Sequence, residues 1–239
     1  MLISEKVIPK NQLLGILSDD NYDRISPSLT KVSLESGQVL YEPNEIMDFA
    51  YFPSTAMISI VSIMEDGATT EIGLIGNEGM VGLPIILGGK QTISQAIVQV
   101  SGDCWKLNGT TLLREFNQNP ELQRLLLMYT QARLTQVSQS AACNRQHKIE
   151  ERLARWLLSV HDCVQADEIP LTQEFVANML GVRRSGVTIA ANSLQQSGMI
   201  RYRRGKITLT DYCALKETAC ECYPLVQSEY IRLLGVRRG

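Results

Sequence analysis

LTQEFVANMLGVRRSGVTIAANSLQQSGMIRYRRGKITL, running from Leu171 to Leu209, is the stretch that decides how this chain folds. Phe175, Val176, Met179 and Leu180 recur at helical spacing, Thr172 stands where an N-cap belongs, and Glu174 falls in the first turn. Gly181 supplies the left-handed residue that a sharp turn needs. A second helix follows, with Val187, Ile189, Ala190 and Leu194 to pack and Arg183, Arg184, Ser185 and Thr188 near its start. Ser197-Gly198 stops it. The runs Met199 to Arg203 and Lys206 to Leu209 flank Arg204-Gly205 and read as a hairpin. Two short helices across a glycine turn, then a basic hairpin, make a winged helix-turn-helix, which sets a helix into the DNA major groove.

Charge agrees with that geometry. Between Thr172 and Thr210 the bases are Arg183, Arg184, Arg201, Arg203, Arg204 and Lys206, and Glu174 is the one acid. The whole chain carries a formal charge of -2, so this is a local basic patch on a mildly acidic protein. Phosphate attraction acts over about 8–10 Å, and a local patch is sufficient for it. Double-stranded DNA is the expected partner.

Outward from this motif, 239 residues suffice for two modest domains, and 44% hydrophobic with 20% charged residues describes an ordinary globular protein. The opening MLISEKVIPKNQLLG has no basic segment leading into a long apolar core, and no run reaches the roughly 18–20 apolar residues of a membrane span. A cytoplasmic protein with no membrane partner is expected. The six cysteines, Cys104, Cys143, Cys163, Cys213, Cys220 and Cys222, include no C-x-x-C pair. Their spacing points to neither a zinc site nor a disulfide framework, and helical geometry would send Cys220 and Cys222 to different faces. Structural thiols are expected, with no metal and no cofactor.

The first thirty residues read as a helical lead-in carrying Leu13, Leu14, Leu17, Tyr22, Ile25 and Leu29. From Lys31 to Leu107, short β-rich runs alternate with turn signals such as Ser36-Gly37, Asp66-Gly67 and Gly102-Asp103. This texture predicts a small antiparallel barrel or jelly roll, with the apolar cluster Met80 to Leu87 as buried strand. A helix begins at Asn119-Pro120 and runs without glycine or proline to about Cys143. Its apolar residues could face a second copy or the barrel. The homodimer reading assigns the interface to Leu126, Tyr129, Leu134, Val137 and Ala141. Another helix follows from Ile149 to Val160, then a loop from Gln165 to Pro170. Tyr212 to Leu234 closes the chain as a helical segment interrupted at Pro224. The expected α+β organisation is a sensor barrel over 1–118, a dimerisation helix over 119–146 and a winged helix-turn-helix domain over 147–239.

Barrel, long helix and winged helix in this order resemble the Crp/Fnr family of bacterial transcription regulators. The resemblance covers nearly the whole chain and is strongest in LTQE, MLGVRRSGVT and LQQSGMIRYRRGKI; GNEGMVGLP (Gly76 to Pro84) is similar to the family's barrel turn in its glycines. It implies a dimeric regulator of palindromic promoter sites, controlled by a small-molecule or redox signal and contacting RNA polymerase if it activates. Carried over by position, Thr172 and Gln173 touch phosphates, Arg183, Arg184, Ser185 and Thr188 face bases and phosphates, and Arg203, Arg204 and Lys206 hold the backbone. An effector pocket would involve Gly82, Leu83, Pro84, Ser94 and Gln95.

Departures narrow the signal. Cyclic-AMP-binding members carry a Glu and an Arg-Ser pair where this chain has Leu83 and Ser94-Gln95. Lys90 is the one base between Glu71 and Gln99, so an anionic phosphate lacks its usual fork. The iron–sulfur members' N-terminal cysteine cluster is missing, since the first cysteine is Cys104. Both histidines, His147 and His161, lie beyond the barrel, which leaves haem ligation and a cupin-like metal enzyme without donors there. No nucleophile elbow, Walker loop or dinucleotide fingerprint is present, so an enzyme is not expected. The alternative is a cyclic-nucleotide-responsive or other non-DNA module whose winged helix serves protein contacts. Arg184 keeps the family's guanine-reading position, but Ser185 and Ile189 replace the Glu and second Arg of the members that read TGTGA. A different half-site follows.

Overall fold

The computed structural model describes residues 10–164, 166–203 and 205–236. The first nine residues of the expected lead-in, Gln165 of the expected loop, and Arg204 of the expected hairpin turn lie outside the described residues. Helices α1 (Gln12–Gly15) and α2 (Asp19–Ile25) bring the chain to the barrel. Asn11 caps α1, and its amide donates to the Pro53 and Gly79 carbonyls at 2.9 and 2.8 Å.

Seven strands follow: β1 (Leu29–Leu34), β2 (Val39–Tyr41), β3 (Phe49–Pro53), β4 (Met57–Ile63), β5 (Thr69–Ile75), β6 (Gln95–Val100) and β7 (Gly102–Asn108). They make two antiparallel sheets, ordered β1-β7-β3 and β2-β6-β4-β5. Leu34, Ala50, Phe52, Ile58, Val98, Cys104 and Leu107 share one core between them. The turn-rich texture of the sequence produces the antiparallel barrel it predicts. Met80 to Leu87 departs from its expected strand. After one bridge between Val81 and Tyr51 it becomes helix α3 (Leu83–Ile86), because Pro84 lacks a ladder donor and favours a helix start.

Helix α4 (Gly109–Gln118) leads into α5 (Pro120–Gln146), which Asn119 caps by accepting from the Glu121 and Leu122 amides at 3.1 Å each. Beyond it lie α6 (Ile149–Val164), β8 (Glu168–Pro170), α7 (Gln173–Leu180), α8 (Arg184–Gln196), β9 (Ile200–Arg203), β10 (Lys206–Leu209), α9 (Tyr212–Thr218) and α10 (Cys222–Leu234). Two of these differ from expectation. Glu168–Pro170, read as loop, is a short strand pairing with β10, so the wing sheet has order β8-β10-β9. The final helical segment breaks at Ala219–Glu221, and Pro224 sits within the first turn of α10, where its missing amide costs nothing.

Helix α5 has two apolar faces rather than one seam. Leu122, Leu125, Leu126, Tyr129 and Ala132 are buried in the barrel core, together with Val226, Tyr230 and Leu234 of α10. Leu126 and Tyr129 are 1% and 0% exposed within the protomer, which removes both from the expected dimer interface. Leu127, Leu134, Val137 and Ala141 lie on the other face and are exposed, Leu134 by 64%. No helix among the described residues is long and apolar enough to cross a membrane.

Candidate nucleic-acid interface

Local sequence builds the helix-turn-helix closely as its residue types require. Thr172 Oγ1 accepts from the Phe175 amide at 3.1 Å and caps α7. Gly181 ends that helix at φ 61°, in the left-handed region where a β-carbon is strained. Val176, Leu180, Val187, Leu194, Ile200 and Ile207 then share a second core with Leu153, Trp156 and Leu157 of α6. The same core takes in Met57, Val61 and Leu74 of the barrel, and Trp156 Nε1 donates to Glu71 Oε1 of β5 at 3.1 Å.

Helix α8 packs through Val187, Ala190, Ala191 and Leu194. Ile189, expected among them, is 72% exposed. Two residues along a helix turn the side chain by about 200°, which puts Ile189 opposite Val187. Arg184, Ser185, Ile189 and Asn192 are exposed, and Thr188 is half-buried between them. Arg183 is the exposed N-cap residue of α8 and makes no side-chain cap bond. Ile189 and Asn192 were not among the expected contacts, yet the i, i+3, i+4, i+7 spacing from Ser185 marks them as sharing its stripe.

Several expected contact residues also brace the motif. The Thr188 hydroxyl donates to Gln173 Oε1 at 2.8 Å, joining the starts of α7 and α8. The Tyr202 amide donates to Gln195 Oε1 at 2.7 Å and its hydroxyl to the Leu171 carbonyl at 3.1 Å, which fixes the wing against α8. Gly205 places the wing turn beside Thr172. Arg203 is exposed on β9, and Lys206 Nζ pairs with Glu168 Oε1 of β8 at 2.5 Å. Arg183, Arg184, Ser185, Arg203 and Lys206 therefore present cationic and polar groups on one contiguous module.

In the barrel, the expected pocket residues have structural duties. Gly82 lies against Ala50 and Ile85, and Leu83 and Pro84 open α3. Ser94 is buried, its amide donating to Thr92 Oγ1 at 3.2 Å, and Gln95 Nε2 donates to Glu42 Oε2 at 2.8 Å. Tyr129 is the link from this turn region to α5. Its hydroxyl donates to the Met80 carbonyl at 2.9 Å and accepts from the Met80 amide at 3.0 Å. A β-carbon at Gly79 would collide with that hydroxyl, which explains the second glycine of GNEG. Arg133 adds a donation to the Leu74 carbonyl at 2.8 Å.

The cysteines depart most from expectation. Cys104 is buried and burial pushes its thiol up to about 12, which makes it a poor redox switch. Cys143, Cys220 and Cys222 form a small buried cluster of their own with His147 beside them. The helical-face argument fails because Cys220 precedes α10 while Cys222 begins it, so one turn presents both side chains to α5. A hydrogen bond from Cys220, aided by Arg155, lowers the Cys143 thiol, and the same bond raises Cys220.

Two family models match this chain: a cyclic nucleotide-binding domain over residues 31–119 and a Crp-like helix-turn-helix domain over residues 151–218. No curated protein sequence matches it. Among solved structures it is similar to a CRP/FNR-family transcriptional regulator from Thermus thermophilus, at 25% identity and TM-score 0.67, over 80% of this chain and 98% of that one. It is also similar to a transcriptional regulator assigned to the crp/fnr family from Eubacterium rectale, at 18% identity and TM-score 0.69, over 87% and 98% of the two chains. FixK2 from Bradyrhizobium japonicum shares the fold at 16% identity and TM-score 0.69, over 80% and 98%. With barrel, long helix and basic winged helix in one order, and both domain models matched in that order, the chain belongs to the Crp/Fnr family of transcription regulators.

Proposed function

We propose that this regulator binds a palindromic DNA site as a homodimer in the cytoplasm, each α8 lying in the major groove of one half-site. The observation that carries this reading is the outer face of α8, where Arg184, Ser185, Ile189 and Asn192 stand exposed on a helix braced from both sides. Arg184 suits the guanine O6/N7 edge, Asn192 the adenine edge, and Ile189 the thymine methyl. Arg183, Thr172, Gln173, Arg203, Arg204 and Lys206 are assigned to phosphates, which set register without reading sequence. The exposed stripe Leu127, Leu134, Val137 and Ala141 on α5 repeats at seven-, three- and four-residue steps, the pattern of a two-stranded helical seam, and is assigned to the dimer.

The barrel is assigned to a signal other than cyclic AMP. Leu83, Ser94 and Gln95 stand where a ribose-binding carboxylate and a phosphate-binding guanidinium would be needed, and Gln95 is already bonded to Glu42. Titration calorimetry should detect no cyclic AMP binding at micromolar concentration; binding there would overturn this assignment.

Selection of bound duplexes from random DNA, followed by anisotropy at several salt concentrations, tests the main proposal. An inverted repeat with half-sites about 10 base pairs apart, bound two protomers to one duplex, is the expected result. Duplex binding with no sequence preference, or none at any salt, would sink it and favour a winged helix used for protein contacts.

A further inference from the structure

Helix α5 ends at a cluster of four metal-ligand side chains. Cys143 and His147 are four residues apart and so share a helix face. Cys220, in the turn before α10 and 77 residues after Cys143, and Cys222, the first residue of α10, reach the same spot. Cys143 Sγ and Cys220 Sγ are 3.5 Å apart, Cys222 Sγ and His147 Nδ1 are 3.5 Å apart, and all four donor atoms lie within 4.8 Å of one another. A tetrahedral zinc ion with Zn–S bonds of about 2.3 Å holds its sulfurs about 3.8 Å apart, so small side-chain rotations would complete the tetrahedron.

The surroundings suit a metal better than a disulfide. His147 turns Nδ1 toward the thiols and gives Nε2 to Glu221 Oε2 at 3.0 Å. A carboxylate on the remote nitrogen is the usual device for fixing the ring of a metal-bound histidine. Gln139 Nε2 donates to Cys222 Sγ at 3.1 Å, the kind of bond that steadies a ligating thiolate. Arg152 and Arg155 lie within electrostatic reach of Cys143, and each has a buried Nε without a hydrogen-bond partner. Three thiolates and a dication leave one net negative charge, which those guanidinium groups would offset. A Cys143–Cys220 disulfide would use two of the four donors and leave the orientation of His147 without a purpose.

We propose that Cys143, His147, Cys220 and Cys222 form a Cys3His site for a tetrahedral thiophilic dication, zinc by its ligand set. Binding would release the thiol protons to solvent and leave the oxidation state of every group unchanged. The location gives the site its purpose. The chain enters the DNA-binding domain between His147 and α6, and leaves it between α9 and Cys220. One ion would therefore pin both crossings against the stalk. Arg152, beside the site, donates to the Leu180 carbonyl at the helix-turn-helix turn and carries that constraint to the DNA-reading unit.

The test uses the full-length protein purified under reductant. Elemental analysis should find one zinc per protomer. Replacement by cobalt(II) should give thiolate-to-metal charge-transfer absorption and the intense visible bands of a tetrahedral site. Cys222→Ser should lose both, while Cys213→Ser, outside the cluster, should keep them. Glu221→Gln retains all four ligands and should bind zinc about 10–100-fold more weakly in a chelator competition. If a cysteine variant fails to fold, the wild-type cobalt spectrum and zinc stoichiometry still decide. A wild-type protein that retains no zinc after incubation and shows no cobalt–thiolate absorption overturns the proposal, as does a Cys143–Cys220 disulfide found by mass spectrometry in metal-free protein. None of these measurements involves DNA, so failure here is separable from failure of the DNA-binding reading.

Discussion

Two helices present exposed faces that contrast in chemistry. Helix α5 offers Leu127, Leu134, Val137 and Ala141, a stripe without charge; α8 offers Arg184, Ser185, Ile189 and Asn192, with Arg183 at its start. An uncharged stripe gains by meeting another apolar surface, and its seven-residue repeat suits a copy of itself. A polar and cationic face gains little from self-association and much from a polyanion lined with hydrogen-bonding edges. Both helices are anchored from behind, α5 by the barrel core and α10, α8 by the second core. The difference lies in what each outer face can bury.

The largest effect should come from placing charge on the apolar stripe. Val137→Glu on the proposed seam would bury an unpaired carboxylate in each protomer, and dimerisation should weaken by about 3 kcal/mol or more. Sedimentation equilibrium should show monomer at concentrations where the parent protein is dimeric. An unchanged dimer would move the interface to another surface. Tyr129→Phe sharpens the contrast between the two faces of α5. That residue faces inward, so the variant should remain dimeric but lose about 1–3 kcal/mol of stability as the buried Met80 amide and carbonyl lose their shared partner. Denaturant unfolding measures this loss, and a dimerisation defect in folded Tyr129→Phe would return Tyr129 to the interface.

What could be read directly from the residues, and what could not, follows from how local each feature is. The helix-turn-helix is written in consecutive residues, with Thr172, Gly181 and the Arg204-Gly205 turn as punctuation, so its elements are recognisable without tertiary information. The barrel strands declare themselves the same way, through β-rich runs between glycine turns. Helix α5 is harder because it is apolar on two sides. Leu126 and Leu127 are neighbours in sequence and part company in space, and periodicity alone cannot say which side meets the barrel. Ile189 misled in the opposite direction, since apolar character suggested burial where the helix angle places it outside. The strand Glu168–Pro170 has three residues and owes its existence to β10. The cluster of Cys143, His147, Cys220 and Cys222 is invisible to motif spacing, since it is assembled by the return of α10 along α5.

On the polar face, Arg184→Ala should weaken binding to the preferred duplex by about 1–3 kcal/mol and flatten preference at one base pair per half-site. Fluorescence anisotropy on matched and base-substituted duplexes checks both. Loss of affinity with base preference intact would make Arg184 a phosphate contact and pass the readout to Ser185, Ile189 or Asn192.

The smallest effects belong to the wing, where two cations have different surroundings. Arg203 is exposed on β9, whereas Lys206 already pairs with Glu168 across β8 and β10. Each phosphate neutralised by a protein cation releases condensed counterions, so losing one contact should shallow the salt dependence by about one unit per protomer. Arg203→Ala should show that change on every sequence alike, since a phosphate contact reads no base. Lys206→Ala should show less, because the parent lysine must leave Glu168 before it can serve a phosphate. Glu168→Gln tests this: it frees Lys206 and should strengthen binding slightly at low salt. The ion pair is exposed on both sides and contributes about 1 kcal/mol or less to folding, so all three variants should unfold near the parent midpoint. If Arg203→Ala and Lys206→Ala shift the salt slope equally, the Glu168 pair opens freely on DNA and the wing behaves as a uniform cationic strip.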